Sequence, residues 1–326
     1  KSEATQSVSR SYAGNQYVSG PVLMIPYTHT YWEPVLNKDG NPIGREQHKL
    51  TGTISILPKT LAIDNDVTVE ERKVGIFPVP VFKAAIKIKA DFSWSEQPIP
   101  VTLKSTEDTL VWGEAYLSLP ISDQHGIKNI AAMLWNGEKV QYKPGSRSRL
   151  FNEQGISAAV NATPNGGEAV ANIELSLIGT LLIRNLPTAE QTTVNFKSNW
   201  PNPQFTGTQL PDTRDVSANG FAATWLSTAL ATNIGSLWKA CTTSSMNQEA
   251  YNNPCNAIQN ESFGVNKIDP TNFYTKMTRA LKYGFLFLAI TFVAFVLFEV
   301  LCDLRIHPVQ YTLLGIASGI FFLLLL

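Results

Sequence analysis

The sequence has 326 residues with 26 Lys and Arg against 26 Asp and Glu, a formal net charge of zero and a pI near 7.1. That balance argues against nucleic acid as a main partner, because phosphate binding needs a clustered basic excess. The charges crowd into residues 1–282 and leave only Glu299, Asp303 and Arg305 beyond, the pattern of a polar domain joined to a membrane anchor, with the lipid bilayer as an expected partner.

Residues 1–19 are rich in Ser, Gln, Tyr and Gly and read as a connector. A chain that starts at Lys1 and stops inside the apolar run Phe321–Leu326 is expected to be a piece cut at both ends. From residue 20 to 268, short apolar stretches alternate with turn signals, and period-two patterning is common. Ile86, Ile88, Ala90 and Phe92 take one face, with Lys87, Lys89 and Asp91 on the other. Ala115, Leu117 and Leu119, then Ile173, Leu175 and Leu177, then Val194 and Phe196 repeat the pattern, as strands with one buried and one wet face do. Asn136-Gly137, between Met133–Trp135 and Val140–Tyr142, is a hairpin signal. Asp39-Gly40-Asn41-Pro42 and Pro164-Asn165-Gly166-Gly167 mark further reversals. The spacing predicts a mainly β soluble domain, antiparallel and sandwich-like, in one lobe or in two built from 20–105 and 110–210.

Trp200, Pro201, Pro203 and Phe205 form a candidate interaction ridge, since prolines pre-order aromatics for a peptide or glycan. The preferred reading is a strand end where Trp200 and Phe205 plug the core and the prolines stop pairing. Ala222–Leu237 is ambiguous between helix and other structure because of its Thr, Asn and Gly content. Cys241 and Cys255 lie 14 apart in a polar, Asn-rich loop. Their spacing matches no zinc site. They are either a disulfide, which requires an oxidising compartment, or two free cysteines.

The last fifty residues differ in kind. Asp269-Pro270 resembles an N-cap with Pro at the first helical position. Residues 269–282 then read as an amphipathic helix leading into the membrane, with Phe273, Met277 and Leu281 opposite Lys276, Arg279 and Lys282. Tyr283–Leu301 is a nineteen-residue run whose only charge is Glu299, close to the roughly 20 residues a bilayer core requires. A loop over 302–310 leads to a second apolar run over 311–326, so an antiparallel transmembrane hairpin is expected. Glu299, Arg305, His307 and Gln310 form a candidate polar cluster at the membrane loop. The preferred reading is a structural turn in which Glu299 pairs with Arg305; the alternative is a proton- or ion-sensitive point. Orientation stays open on residues alone, because the basic residues before the first run favour a cytoplasmic domain and the cysteine pair the opposite.

Phe263-Gly264-Val265, Asp269-Pro270, Tyr274, Arg279-Ala280, Lys282-Tyr283, Thr291-Phe292, Phe298-Glu299, His307–Tyr311 and Leu314-Gly315 together resemble the membrane approach of the CreD family. Val69–Ile76, Lys89–Phe92, Ser198–Gly207 with Arg214 and Gly220-Phe221 are similar to its soluble part. The resemblance implies a bacterial inner-membrane protein with a helix preceding Lys1, further helices after Leu326 and a periplasmic β domain. It also implies a role in envelope integrity or colicin tolerance under envelope stress, with no catalytic chemistry. The cysteine pair departs from the family, as does His125 at a position where Arg is expected.

No nucleophile elbow, metal-spaced histidine pair or phosphate-cradling glycine loop stands out, and His29 suits a β surface. The expectation is a non-enzymatic protein without catalytic residues, metal or cofactor, partnered by an envelope component or another membrane protein. An ion-coupled transporter or membrane sensor with the β domain as accessory is the alternative.

Overall fold

The computed structural model describes residues 13–39, 41–74, 77–97, 101, 105–243, 254–267, 273–302 and 307–324. The chain divides into two compact units, Lys1–Ile268 and Asp269–Leu326. In chain order the strands of the first are β1 (Gln16–Ser19), β2 (Val22–Leu36), β3 (Pro42–Ile56), β4 (Thr60–Val74), β5 (Phe77–Trp94), β6 (Thr109–Trp112), β7 (Tyr116–Pro120), β8 (Ile127–Trp135) and β9 (Glu138–Lys139). They continue as β10 (Tyr142–Pro144), β11 (Gly155–Ala159), β12 (Gly167–Thr180), β13 (Leu182–Leu186), β14 (Gln191–Ser198), β15 (Pro203–Gly207), β16 (Thr213–Ser217), β17 (Gly220–Thr228) and β18 (Phe263–Lys267).

Among the described residues, these strands form three sheets. The largest has the order β16-β17-β14-β4-β5-β12-β8-β9, the second β10-β11-β7-β2-β3 with β6 also on β2, and the third β1-β13-β18-β15. Pairing is mainly antiparallel, with parallel exceptions at β14–β4 and β1–β13. The alternation read from β5 is realised: Ile86, Ile88, Ala90 and Phe92 are buried, and across the antiparallel ladder with β12 they meet Leu175, Ile173, Ala171 and Ala169. The outer face carries cross-strand ion pairs, Lys83 to Glu70 at 2.8 Å and Lys87 to Glu174 at 3.5 Å.

One apolar core draws Leu23, Leu117 and Ile156 from the second sheet, Ile63, Ile88, Ile173 and Trp225 from the first, and Ile183 and Phe263 from the third. Two lobes do not form. The long β5–β12 ladder joins the two stretches offered as separate lobes, and each needs the other to cover its apolar face.

Two local expectations need correcting. Asn136 (φ 52°) and Gly137 (φ 84°) make the expected turn, and Trp135 pairs with Glu138. The return strand, however, ends at Lys139, and Tyr142–Pro144 pairs with β11 in the second sheet. Within Ala222–Leu237, the part to Thr228 is strand, because Phe221, Ala223 and Trp225 alternate into the core. Helix follows as α1 (Ala229–Thr232) and α2 (Ile234–Thr243), separated by Asn233 at φ 51°. A further helix, α3 (Pro254–Asn260), packs with α2 on a second apolar cluster containing Val22, Met24, Leu150, Leu186, Trp238 and Ile258.

The second unit contains α4 (Phe273–Cys302) and α5 (Pro308–Leu324). The expected cap at Asp269-Pro270 lies outside the described residues. Tyr311 of α5 stacks on Phe292 and meets Phe295 of α4 edge-on, and Gly315 lies beside Phe292. Later positions in α5 thus meet earlier positions in α4, the antiparallel sense. Among the described residues no helix is long and apolar enough to cross a membrane, which says nothing of passage by strands.

Candidate functional site

The β2–β3 ribbon brings together the polar groups most suggestive of a site. Residues 29, 31 and 33 share one face of β2, and Tyr31 stands directly opposite His48 of β3. The rings stack in a row, His29 on Tyr31 at 5.0 Å and Tyr31 on His48 at 5.5 Å. Carboxylates stand at both ends, Asp108 at 3.8 Å from His29 Nε2 and Glu33 at 3.8 Å from His48 Nε2. Both separations are too long for hydrogen bonds. His29 is therefore not a surface residue: it is 5 % exposed, and its Nε2 is buried without a hydrogen-bond partner. The sequence signal was the His29-x-Tyr31 spacing on a strand, and the chain leading into β6 brings Asp108 against the His29 ring.

A second polar node lies where β1 begins. Asp123 accepts from the Gly14 backbone N–H at 2.8 Å and the His125 backbone N–H at 3.0 Å, and its carboxylate lies 2.9 Å from His125 Nδ1. Burial pushes the Asp123 carboxyl up, yet these hydrogen bonds together outweigh it and hold the group below its usual range. His125, where the family resemblance led us to expect Arg, serves as a partner of Asp123.

The four residues of the candidate ridge are each half-buried. Phe205 meets Phe221 and Trp225 edge-on, and Trp200 packs against the main core while donating Nε1 to the Asn202 carbonyl at 2.8 Å. Pro203 opens β15, and Pro201 is half-buried. Trp200 instead lines a small apolar pocket with Val67, Phe196, Phe221 and Val265.

Cys241 and Cys255 are joined as a disulfide, both buried in the second apolar cluster beside Trp238 and Ile258. Of the expected membrane-loop cluster, Arg305 lies outside the described residues. Glu299 accepts from the Tyr311 hydroxyl at 2.7 Å. The His307 carbonyl accepts from the Gln310 N–H at 2.9 Å, a turn that starts α5. The sequence reading missed Tyr311, although its place one residue after Gln310 was plain. Among the described residues, no three His, Cys, Asp or Glu side chains are grouped to hold a metal ion.

A family model described as "Inner membrane protein CreD" matches residues 1–326. The inner membrane protein CreD of Escherichia coli (strain K12) is 31 % identical over 330 residues, covering all of this chain and 68 % of that protein. An M1 zinc metallopeptidase from Deinococcus radiodurans matches 52 % of this chain and 40 % of its own at 10 % identity with a TM-score of 0.23. A secretin-domain β-barrel of InvG from Salmonella matches 50 % of this chain and 62 % of its own at 11 % identity with a TM-score of 0.10. Likeness that low carries no argument about fold or activity.

Proposed function

The chain belongs to the CreD family of inner membrane proteins, and on that footing we propose that it is a non-enzymatic, multi-pass protein supporting envelope integrity under stress, with its β unit in the periplasm. The observation that carries the reading is the buried Cys241–Cys255 disulfide within the β unit. Such a bond persists in an oxidising compartment and not in the bacterial cytosol. The apolar run Tyr283–Leu301 follows it in the chain, and its composition supports a transmembrane span. Long domains translocate largely regardless of flanking charge, so Lys276, Arg279 and Lys282 do not oppose this orientation. The β unit acts by contact with an envelope component or another membrane protein and needs no cofactor.

Because both disulfide cysteines are buried, the topology is best read at Leu230, which is 98 % exposed on α1. In intact cells, Leu230→Cys in a Cys302→Ser background is expected to react with a small membrane-impermeant maleimide. Labelling only after lysis places the β unit in the cytoplasm and ends this reading.

One observation favours a second reading, an ion-coupled transporter or sensor. Glu299 and Tyr311 form a polar contact between two apolar helices, and ionisable groups in such positions are often functional. Under that reading, Glu299→Gln abolishes a proton- or ion-dependent flux in proteoliposomes; a full-length chain with no such flux removes it.

A further inference from the structure

Among the described residues, β3 is the one strand that pairs with β2 beyond Thr30, since β6 and β7 pair only with residues 22–30, while Val101 and Ser105 flank Trp32–Pro34 and Glu107 pairs with Arg45 at 2.9 Å. The pair therefore continues as a two-stranded ribbon, exposed on both faces from Glu33 to the turn and back from Pro42 to Gln47. The turn is ordered by Asn37, whose side-chain oxygen accepts from the N–H groups of Asp39 and Asn41 at 3.0 and 2.9 Å.

The composition of this ribbon is unusual for an exposed element. Among the described residues, it holds four of the eleven exposed large apolar side chains of the first unit: Trp32, Val35, Leu36 and Ile43. Leu36 is 55 % exposed and Ile43 is 68 % exposed. Val35 pairs with Gly44 and Leu36 with Pro42, so a bulge leaves Ile43 outside the ladder at the tip. Trp32, Pro34 and Leu36 alternate onto one face, with Lys38 in the turn. Aliphatic residues near a tip with an aromatic residue set further back suit a membrane–water interface, and the charged pair Lys38 and Asp39 beyond them in the turn suits its headgroup region.

A protein partner fits less well. Pro34 interrupts the hydrogen-bonding capacity of one free edge and Pro42 that of the other, with Arg45 and Lys49 beside it, so strand addition is blocked. The apolar tip offers on the order of a few hundred Å², well short of the roughly 1,000 Å² of a specific protein interface. A bilayer needs no complementary pocket. A few inserted side chains anchor a free protein only weakly. For a domain tethered to the same bilayer, the effective concentration of that surface is high and weak insertion suffices.

We propose that the β2–β3 tip, centred on Leu36 and Ile43, is a bilayer-contact site that inserts into the interfacial region of the membrane holding the chain. The inference rests on the membrane reading above, and its test separates the two. The full chain, in a Cys302→Ser background with the disulfide intact, is reconstituted in phosphatidylethanolamine–phosphatidylglycerol vesicles. An environment-sensitive fluorophore is placed at Leu36→Cys, at Leu230→Cys as an aqueous reference, and at Ile290→Cys in α4.

The expected result is a blue shift at position 36 relative to position 230, with emission lost to a lipid-borne quencher and spared by iodide. If position 290 is quenched from the lipid while 36 is quenched by iodide, the tip lies in water and the inference fails alone. If 36 is shielded from both quenchers while 290 is quenched from the lipid, protein covers the tip and the inference again fails. If 290 itself escapes the lipid quencher, the membrane reading falls and takes the inference with it.

Discussion

At the scale of single residues, Asp123 has the best-defined electrostatic role outside the helices. It receives backbone N–H groups from two parts of the chain and a histidine, so it clasps the Ala13–Asn15 segment to the turn at Gln124–Gly126. Its carboxyl is held below the usual range, so the ionised form is bound more tightly in the folded state than in the unfolded one. That stabilisation is present above the unfolded carboxylate range and is lost as pH falls through the lowered folded value. Asp123→Asn is expected to cost about 1–2 kcal/mol near pH 7, a value for charge-assisted hydrogen bonds reduced for partial exposure. The gap to the parent protein should close in acid, as followed by denaturant midpoints across pH; a gap that widens in acid rules out the assignment. Little of this was legible in the sequence, because Gly14 and Asp123 are 109 residues apart. Trp200 and Phe205 were legible as core plugs from their prolines. His29 was not, because Asp108 beside its ring arrives from about eighty residues downstream.

Elements were read well where one strand face settles the matter by itself and poorly where the chain changes sheet. β5 and β12 show their alternation openly because each has one wet face lined with Lys and Glu. In β7 every residue is buried, so no alternation survives there beyond Leu117 and Leu119. β17 stayed ambiguous because Ala, Thr and Trp suit strand and helix alike until Phe196 and Phe263 are seen packing on Trp225. The smallest sheet offers a sharper test. Gly264 sits in β18 between β13 and β15, and a Cβ there would stand 2.3 Å from the Ile183 carbonyl oxygen and 2.8 Å from the Arg184 Cα. Those atoms are backbone of a paired strand, so relief requires the β13–β18 ladder to part. Gly264→Ala should therefore lower stability by about 1–3 kcal/mol, in the range of overpacking changes. An unchanged denaturant midpoint would mean that the ladder is looser than its register implies.

For the whole molecule, the segregation of charge already divided the sequence into a polar part and an apolar end, and the two compact units fall on either side of residue 268. What composition did not reveal is that the β part is one cooperative body. Its main core takes residues from Val18 to Val265, and its second cluster takes residues from Val22 to Ile258. Among the described residues, neither cluster includes a side chain from the second unit. The disulfide also closes within the first unit, where a loop of 14 contributes about 3 kcal/mol in the chain-entropy model. The physics of folding therefore asks nothing of α4 and α5 for the β unit to form. A chain ending at Ile268, produced in an oxidising compartment, should be monomeric with β-type circular dichroism and should unfold in one cooperative transition. Its midpoint should match that of the β unit in the full chain, and reduction should shift both midpoints downward together. A shortened chain that binds hydrophobic dyes and unfolds without cooperativity would show that the helices complete the β core. It would also make the tip at Leu36 and Ile43 unreadable outside the full chain, which is why the bilayer test keeps the chain whole.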